Sequence, residues 1–458
     1  MKRSRKPALA AVAITLVMSL SASGCWDRVE LEDVAWVQAI GFDKGPEGFL
    51  ATTLEIGVPR NLRGGGPMST GGRDGPNYTT ITIVSRTALE ALDLAAINLG
   101  RRISLVQTQL YLFGEELAES DLRPLVSAMD RFREVRGSIQ VAVVKGRAED
   151  LLRVAESPLE VSPSRLIQTV LLQHMHTGLF RRVALARDLT NLLESSSMSP
   201  HCPIIALTAD YPAQQGDGGG DSQGGQGGQE DKAEQSSVEP KVNLAELPPD
   251  KNTTDLDGWL VPKSGGGPII IMGTAVFQGG RMVETLTGDE TRGMLLAQND
   301  LERATFAIPD PTAPDKPELA LGVEIIGAKT KVKAARAGDK VKIGVNVHAD
   351  VSYFSIKTQT DFTDPRMLPV AEKAIADHIK DIMDRAISKT QAVGADVFGF
   401  GDKLRRTFRT WPEFEAFAWL TKYPQAEIET EVEVDLHRFG LSLRPPVVPP
   451  SEILQTPR

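Results

Sequence analysis

The residues with the clearest capacity for chemistry lie at 20–25 (LSASGC), where one of only two cysteines, Cys25, follows a run of small residues. Four cations precede them within residues 1–6, and residues 8–20 form an almost uninterrupted apolar run. This layout is typical of a secretory signal, and the run is shorter than the about 20 residues of a permanent membrane-spanning helix. A small residue, glycine and then cysteine is the order found in a bacterial lipobox, whose thiol receives a diacylglyceryl group.

Cys25 is therefore the predicted lipid-attachment residue, carrying S-diacylglycerol and N-palmitoyl groups after residues 1–24 are removed as a lipoprotein signal peptide. The alternative is an ordinary signal peptide in which this cysteine is incidental. If Cys25 is acylated, Cys202 is left alone and no intrachain disulfide can form. One acyl chain binds a membrane only marginally, whereas two or more hold a protein there durably.

The remaining reactive residue types form no catalytic set. His174 and His176 are two apart, so on a helix they point in different directions and cannot share a metal. The pair His201-Cys202 could form a reactive thiol, but a buried structural cysteine at the start of a strand fits it better. The Gly-rich residues 64–72 lack the strand and helix that flank a phosphate-binding loop. We expect no enzyme, no cofactor and no metal ligands.

Composition limits the class of protein. The 458 residues are 41% hydrophobic and 24% charged, which is ordinary for folded domains, and their number predicts two to four of them. The net charge of −9 becomes −13 once the four N-terminal cations are removed, and an acidic body of this kind does not indicate a nucleic-acid partner. No apolar run of about 18 residues follows Cys25.

Residues 25–146 are expected to form an N-terminal α/β domain. Apolar and β-branched stretches alternate there with helical patterns, which favours a sheet layered with helices. Ser85 is the predicted cap of the first helix. The expected strands cover 34–42, 49–58, 78–84, 104–113 and 139–144, and the expected helices cover 87–98 and 120–132.

Residues 147–308 are the expected middle domain. It is mainly helical to residue 197, continues in a short strand at 202–207, and contains a Gly/Gln-rich insertion at 212–257 that cannot bury enough apolar surface to fold. After the insertion, Gly279-Gly280 predicts a hairpin turn. Thr287 and Glu290 have the spacing of a capping box, which predicts a helix over 289–298.

Residues 309–458 are the expected C-terminal α+β domain with an antiparallel sheet. A Pro-rich linker leads into two long strands at 319–335 and 340–353, and the best helical pattern of the chain covers 366–389. Two shorter helices and a strictly alternating strand at 427–436 follow, and the tail from Pro445 is expected to be frayed. The predicted class is thus α+β in three domains, with mixed and antiparallel sheets flanked by helices.

Three segments, in order along the chain, resemble the Ger(x)C family, the lipoprotein C subunits of spore germinant receptors. Residues 24–31 (GCWDRVEL) and 39–43 (AIGFD) resemble the family's opening, with Phe42 where isoleucine is usual. Residues 273–293, which include GTAVF and LTGDETRG, resemble its hairpin-and-helix signature. Residues 396–419 are similar to its C-terminal pattern of a turn, a helix and a late tryptophan.

This resemblance implies a three-domain lipoprotein without established catalysis. It implies a place on the outer face of the cell membrane or the spore's inner membrane, beside integral-membrane A-type and B-type subunits, in a complex through which a dormant spore responds to nutrients. The residues leave a second reading open, a solute-binding lipoprotein that delivers a small ligand to a transporter, which predicts two similar lobes and a hinge. A surface hydrolase is disfavoured because no nucleophile and base are visible.

Overall fold

The computed structural model describes residues 30–58, 77–154, 160, 162–180, 184–207, 269–316, 319–357, 360, 362 and 364–438. Cys25 and the signal segment lie outside the described residues, and so do the predicted insertion at 212–257 and the tail from Pro445. The three matching segments lie inside them, except for residues 24–29 of the first.

A mixed ten-stranded sheet forms the first half of the described fold. Its order is β10-β9-β8-β6-β5-β1-β2-β3, with β4 paired to β1 and β7 paired to β6. Strands β8, β6, β5 and β1 are mutually parallel, and antiparallel hairpins extend the sheet on both sides. The strands are β1 (Val34–Lys44), β2 (Leu50–Gly57), β3 (Tyr78–Ser85), β4 (Arg102–Ser104), β5 (Leu110–Gly114), β6 (Gln140–Val144), β7 (Ala184–Leu185), β8 (His201–Leu207), β9 (Ile269–Gln278) and β10 (Arg281–Leu286).

This one sheet contains strands from both the expected N-terminal and the expected middle domain. β8, which follows the predicted boundary at residue 146, pairs in parallel with β6, which precedes it. The central parallel strands are buried on both faces, as parallel sheets require. In β5, Leu110 and Leu112 enter one core while Tyr111 and Phe113 enter the other, because successive side chains of a strand point to opposite faces.

Helices cover both faces of this sheet and connect its parallel strands. The segment 147–197 is broken into short helices rather than a few long ones. The helices are α1 (Ala88–Leu99), α2 (Glu115–Ala118), α3 (Arg123–Asp130), α4 (Ala148–Val154), α5 (Pro163–Leu171), α6 (His174–Thr177) and α7 (Ala186–Leu193).

Two local predictions in this half are wrong by a few residues. The cap of α1 is Thr87, whose side chain accepts the N–H of Glu90, whereas the hydroxyl of Ser85 donates to the carbonyl of Thr87. The strand predicted over 104–113 is divided into β4 and β5. Between them the chain leaves the ladder, and the hydroxyl of Thr108 donates to the carbonyl of Val37 in β1.

A four-stranded sheet with the order β11-β12-β13-β14 forms the second half. β14 is parallel to β13, so the antiparallel sheet that we expected is antiparallel only over its first three strands. A helical connection runs from β13 to β14, and a crossover of this length allows the chain to return in the same direction. The elements are α8 (Gly288–Gln298), β11 (Ala304–Pro309), β12 (Ala320–Ala337), β13 (Lys340–Lys357), α9 (Leu368–Ala392), α10 (Phe400–Arg405), α11 (Trp411–Phe417), α12 (Trp419–Lys422) and β14 (Glu427–Arg438).

The long helix α9 packs its apolar stripe against this second sheet. Ile375, Ile379, Ile382 and Met383 are buried, as the helical spacing predicted. Val370 was expected in the same stripe but is exposed, because Ala371 takes the buried position in the first turn.

Candidate functional site at the joint between the sheets

The hairpin β9–β10 begins the segment that joins the two halves of the fold. Gly279 adopts a φ of 58° at the predicted turn, a conformation that glycine adopts freely. Gly273 has a φ of 94°, and a Cβ there would collide with the carbonyl oxygen of Leu286 on the neighbouring strand. The hairpin lies at the edge of the ten-stranded sheet. Two of its side chains, Val276 and Leu286, nevertheless belong to the hydrophobic core of the second half.

The predicted capping box at the start of α8 is confirmed. The side chain of Thr287 accepts the N–H of Glu290 at 3.3 Å, and the carboxylate of Glu290 accepts the N–H of Thr287 at 2.8 Å. The ammonium of Lys389 on α9 lies 3.1 Å from the same carboxylate. The cap therefore ties the start of α8 to α9 as well as closing its first turn.

Arg292 connects α8 to both halves of the fold. It is buried, and its guanidinium donates to the carbonyl of Thr177 at 3.0 Å and to the carboxylate of Asp289 at 2.9 Å. Its Cζ lies 4.6 Å from the ring centre of Phe306 in β11. Burial lowers the pKa of Arg292 and Asp289 acts in the other direction, so the group stays charged at neutral pH.

Gly293 is the point of closest approach between α8 and α9. A Cβ built there would lie 2.7 Å from the carbonyl oxygen of Ile382 and 2.9 Å from the amide nitrogen of Met383. Both are backbone atoms of α9, which no side-chain rotation can move. The neighbouring Thr291 shares a hydroxyl hydrogen bond of 3.0 Å with Thr274 in β9. Residues 273–293, here called the joint, thus hold β9, α8 and α9 together.

The opening segment 39–43 has a structural role as well. Asp43, at the end of β1, accepts the N–H groups of Ala148 and Glu149 at 2.8 and 2.9 Å, so it caps α4 from across the sheet. Burial raises the pKa of Asp43, while the two backbone N–H bonds and Arg147 act in the other direction. A Cβ at Gly114 would collide with the Asp43 carboxylate, which explains the glycine at the end of β5.

The C-terminal segment 396–419 is organised around the fully buried carboxylate of Asp396. The indole N–H of Trp419 donates to it at 2.8 Å, so the two ends of the segment meet. Burial raises the pKa of Asp396 to about 6, while the N–H donors from Trp419 and from the following turn favour the charged form. The backbone N–H donors come from the turn that follows, at Phe398, Gly399, Phe400 and Gly401.

The cysteine and histidines that the sequence offered as reactive residues are buried in part and exposed in part. Cys202 is fully buried at the start of β8, as the structural alternative predicted, and His201 is also buried, with its Nδ1 2.9 Å from the carbonyl oxygen of Ser199. His174 and His176 lie on the single-turn helix α6, where His176 is exposed. Cys25 and residues 64–72 lie outside the described residues.

Sequence reasoning missed another buried carboxylate at a helix start, that of Glu55. Glu55 of β2 accepts the N–H and the hydroxyl of Ser164 at 3.0 and 2.6 Å, in the first turn of α5. Burial raises its pKa, and the bonds from Ser164 and Ser162 oppose this. The available signal was a lone glutamate within the apolar stretch FLATTLEIGV.

Within the described residues, we find no helix that is both long enough and apolar enough to cross a bilayer.

Comparisons with known proteins agree with the resemblance in the three segments. Residues 27–207 match the family model described as "Spore germination protein N-terminal domain", and residues 272–440 match "Spore germination B3/ GerAC like, C-terminal". The first match ends with β8, and the second begins inside β9. The joint lies at the start of the second match.

Two curated relatives match over nearly their full length. Spore germination protein KC of Bacillus subtilis (strain 168) is 25% identical over 446 residues, which cover 96% of this chain and 98% of that protein. The putative spore germination protein YfkR of the same organism is 20% identical over 429 residues, covering 93% and 96%. The crystal structure of the GerBC protein is 12% identical and matches 87% of this chain and 96% of that chain with a TM-score of 0.47. From the two family models, which together match most of its length, we conclude that the chain is a member of the Ger(x)C family.

Proposed function

We propose that this protein is the lipid-anchored C subunit of a nutrient germinant receptor and acts in spore germination without catalysis. Its partners would be integral-membrane subunits of the A and B types, on the outer face of the cell membrane or the spore's inner membrane. The relatives KC and YfkR are both named as spore germination proteins, which supports the role in germination.

The observation that carries the proposal is the continuity between the lipobox and the fold. Only eight residues, 26–33, separate Cys25 from Val34, the first residue of β1. Because an extended chain spans at most about 3.6 Å per residue, β1 begins within about 30 Å of an acylated Cys25. A short tether of this kind keeps the first sheet beside the membrane and raises its effective concentration for membrane-embedded partners.

The structural roles of residues in the three matching segments support a function without catalysis. Each is occupied with holding the fold together: Asp43 caps α4, Arg292 and Gly293 set the joint, and Asp396 binds Trp419. These structural roles support a function in assembly.

The experiment is a Cys25→Ser variant expressed in place of the native protein. The matched control is Ser23→Ala, which keeps a small residue two positions before the cysteine. We expect Cys25→Ser to give a folded protein that is lost from the membrane fraction, and spores that germinate poorly on nutrients. The control should behave as wild type. Normal membrane retention and normal germination in Cys25→Ser spores would overturn the proposal.

A polar cleft favours a second candidate, a lipoprotein that binds a small solute. The cleft encloses about 260 Å³, and Gln140 contributes a buried amide oxygen without a hydrogen-bond partner. Against this, the two sheets have ten and four strands, not the two similar lobes that a hinged solute receptor predicts. The cleft is lined by Val106, Gln107, Thr108, Gln109, Arg136, Ser138, Gln140 and Gln168.

A thermal-shift screen of amino acids, sugars and nucleosides separates the two candidates. A solute receptor would show a concentration-dependent rise in its unfolding temperature with one ligand class. That rise should disappear in a Gln140→Leu variant. No shift with any class leaves the assembly subunit as the better account.

A further inference from the structure

A cluster of imidazole and carboxylate groups lies on the solvent face of the second sheet. His348 and Asp350 are two apart on β13, and Asp435 and His437 are two apart on β14, so all four side chains share one face. In the parallel register of these strands, Asp350 lies directly beside Asp435.

The ligand atoms of this cluster are close enough to contact a single ion. The Nε2 atom of His348 lies 3.4 Å from a carboxylate oxygen of Asp435, and the Nε2 atom of His437 lies 3.1 Å from a carboxylate oxygen of Asp350. One ligand atom each from His348, Asp350 and Asp435 can be chosen so that all three lie within 4.8 Å of one another. His348 also approaches Glu433, at 3.8 Å.

The arrangement places two carboxylates directly beside each other on neighbouring strands. Like charges placed directly opposite each other on neighbouring strands are destabilising. On the same face, β14 carries acidic side chains at alternate positions from 427 to 435, and Lys342 is already engaged by Glu427 and Glu429. From β12, Lys329 lies opposite His348, whereas Gly327 lies opposite Asp350 and contributes no side chain. The carboxylate pair is thus left with the two imidazoles as its nearest partners from β13 and β14.

We propose that His348, Asp350 and Asp435, with His437 as the fourth donor, bind one divalent transition metal of the Zn²⁺ type. Imidazole nitrogen and carboxylate oxygen are its usual ligands, and four donors satisfy its preferred tetrahedral geometry. Ca²⁺ takes six to eight oxygen ligands and is not suited to this set. Such an ion would neutralise the paired aspartates and cross-link β13 to β14, the last strand of the described fold. This goes beyond the proposed function, since neither anchoring nor germination is part of the argument.

The test is titration of the purified metal-free protein with Zn²⁺ by calorimetry, together with its thermal unfolding with and without Zn²⁺. We expect one ion per chain and a rise in the unfolding temperature, and no heat or shift with Ca²⁺. His348→Ala and Asp435→Asn should each weaken binding at least about tenfold. His176→Ala, which removes an exposed histidine on α6, is the matched control and should bind as wild type.

The variant Asp350→Asn gives an independent test, because its effect on the unfolding temperature should differ between the metal-free and the Zn²⁺-bound protein. Without metal it removes one of two adjacent negative charges, so the variant should unfold at an equal or higher temperature than wild type. With Zn²⁺ it should lose most of the metal-induced rise. The proposal is overturned if wild-type protein binds no Zn²⁺, or if His348→Ala and Asp435→Asn bind it as well as His176→Ala does.

Discussion

Replacing Gly293 with alanine adds one methyl group to the joint and should reveal how tightly α8 and α9 are packed. The change places a Cβ 2.7 Å from the carbonyl oxygen of Ile382, on the backbone of α9. Helices α8 and α9 would have to separate by at least about 0.7 Å to restore an ordinary contact. Because α9 is also fixed to the second sheet by its buried stripe, that separation disturbs the core on its other side.

Two opposing contributions set the size of the effect. In a helix interior, alanine is favoured over glycine by about 1 kcal/mol. Overpacking a well-packed core costs typically about 1–3 kcal/mol, and here backbone atoms must move rather than a flexible side chain. Because backbone atoms must move, the overpacking cost falls in the upper part of that range, about 2–3 kcal/mol, and subtracting the gain from alanine leaves an expected loss of about 1–2 kcal/mol in the free energy of unfolding for Gly293→Ala. For a cooperatively unfolding unit of about 150–250 residues, this loss corresponds to a fall of about 2–8 °C in the unfolding temperature. Gly293→Leu should be worse.

Differential scanning calorimetry measures this directly, with Gly344→Ala as the matched control. Gly344 lies in β13, and a Cβ there would meet nothing within 4 Å, so this change should be neutral or slightly stabilising. The comparison holds the chemical change constant and varies only the space around it. If Gly293→Ala unfolds at the same temperature as wild type or higher, the close helix contact assigned to this glycine is refuted.

Three further results are expected at other buried polar groups. Asp43→Ala leaves two N–H groups of α4 without an acceptor and should lower stability by about 1–3 kcal/mol in urea unfolding, while Asp33→Ala on the exposed lead should not; equal effects would refute the capping role. Arg292→Met keeps the apolar stem but loses the bonds to Thr177 and Asp289, so it should lower stability by about 2–3 kcal/mol, and an unchanged unfolding temperature would contradict this. His378 is a partly buried residue of α9 whose ring centre lies 5.6 Å from that of Phe306. Burial lowers the pKa of His378, so its contribution to stability is complete above the unfolded pKa of about 6.5 and is lost as pH falls. His378→Gln should accordingly lose less stability than wild type between pH 7.5 and 5.5, and parallel losses in the two proteins would count against it.

The features that could be predicted from the sequence are the local ones. The capping box at Thr287 and Glu290 and the turn at Gly279-Gly280 need only neighbouring residues, and both are present. The same is true of the apolar stripe of α9, because its 3.6-residue spacing is a property of one helix. The mixed α and β composition and the family membership are confirmed on the same kind of pattern.

The features that could not be predicted depend on residues far apart in the chain. Asp43 caps a helix about 105 residues downstream, and β14 lies parallel to β13 only because of how the intervening helices return the chain. The proposed metal-ligand cluster could not be predicted for the same reason, since His348 and Asp435 lie on two separate strands and form no short motif. The division into three domains remains a prediction. A boundary at residue 146 would separate β6 from β8, which pair with each other in one sheet.

We propose above that this protein works as a lipid-anchored subunit beside membrane-embedded partners. Affinity purification of a C-terminally tagged protein from detergent-solubilised spore inner membranes, followed by mass spectrometry, tests it most directly. We expect one A-type and one B-type integral-membrane subunit to co-purify with the wild-type protein and to be lost with the Cys25→Ser variant. Recovery of the wild-type protein from those membranes without either subunit would contradict it.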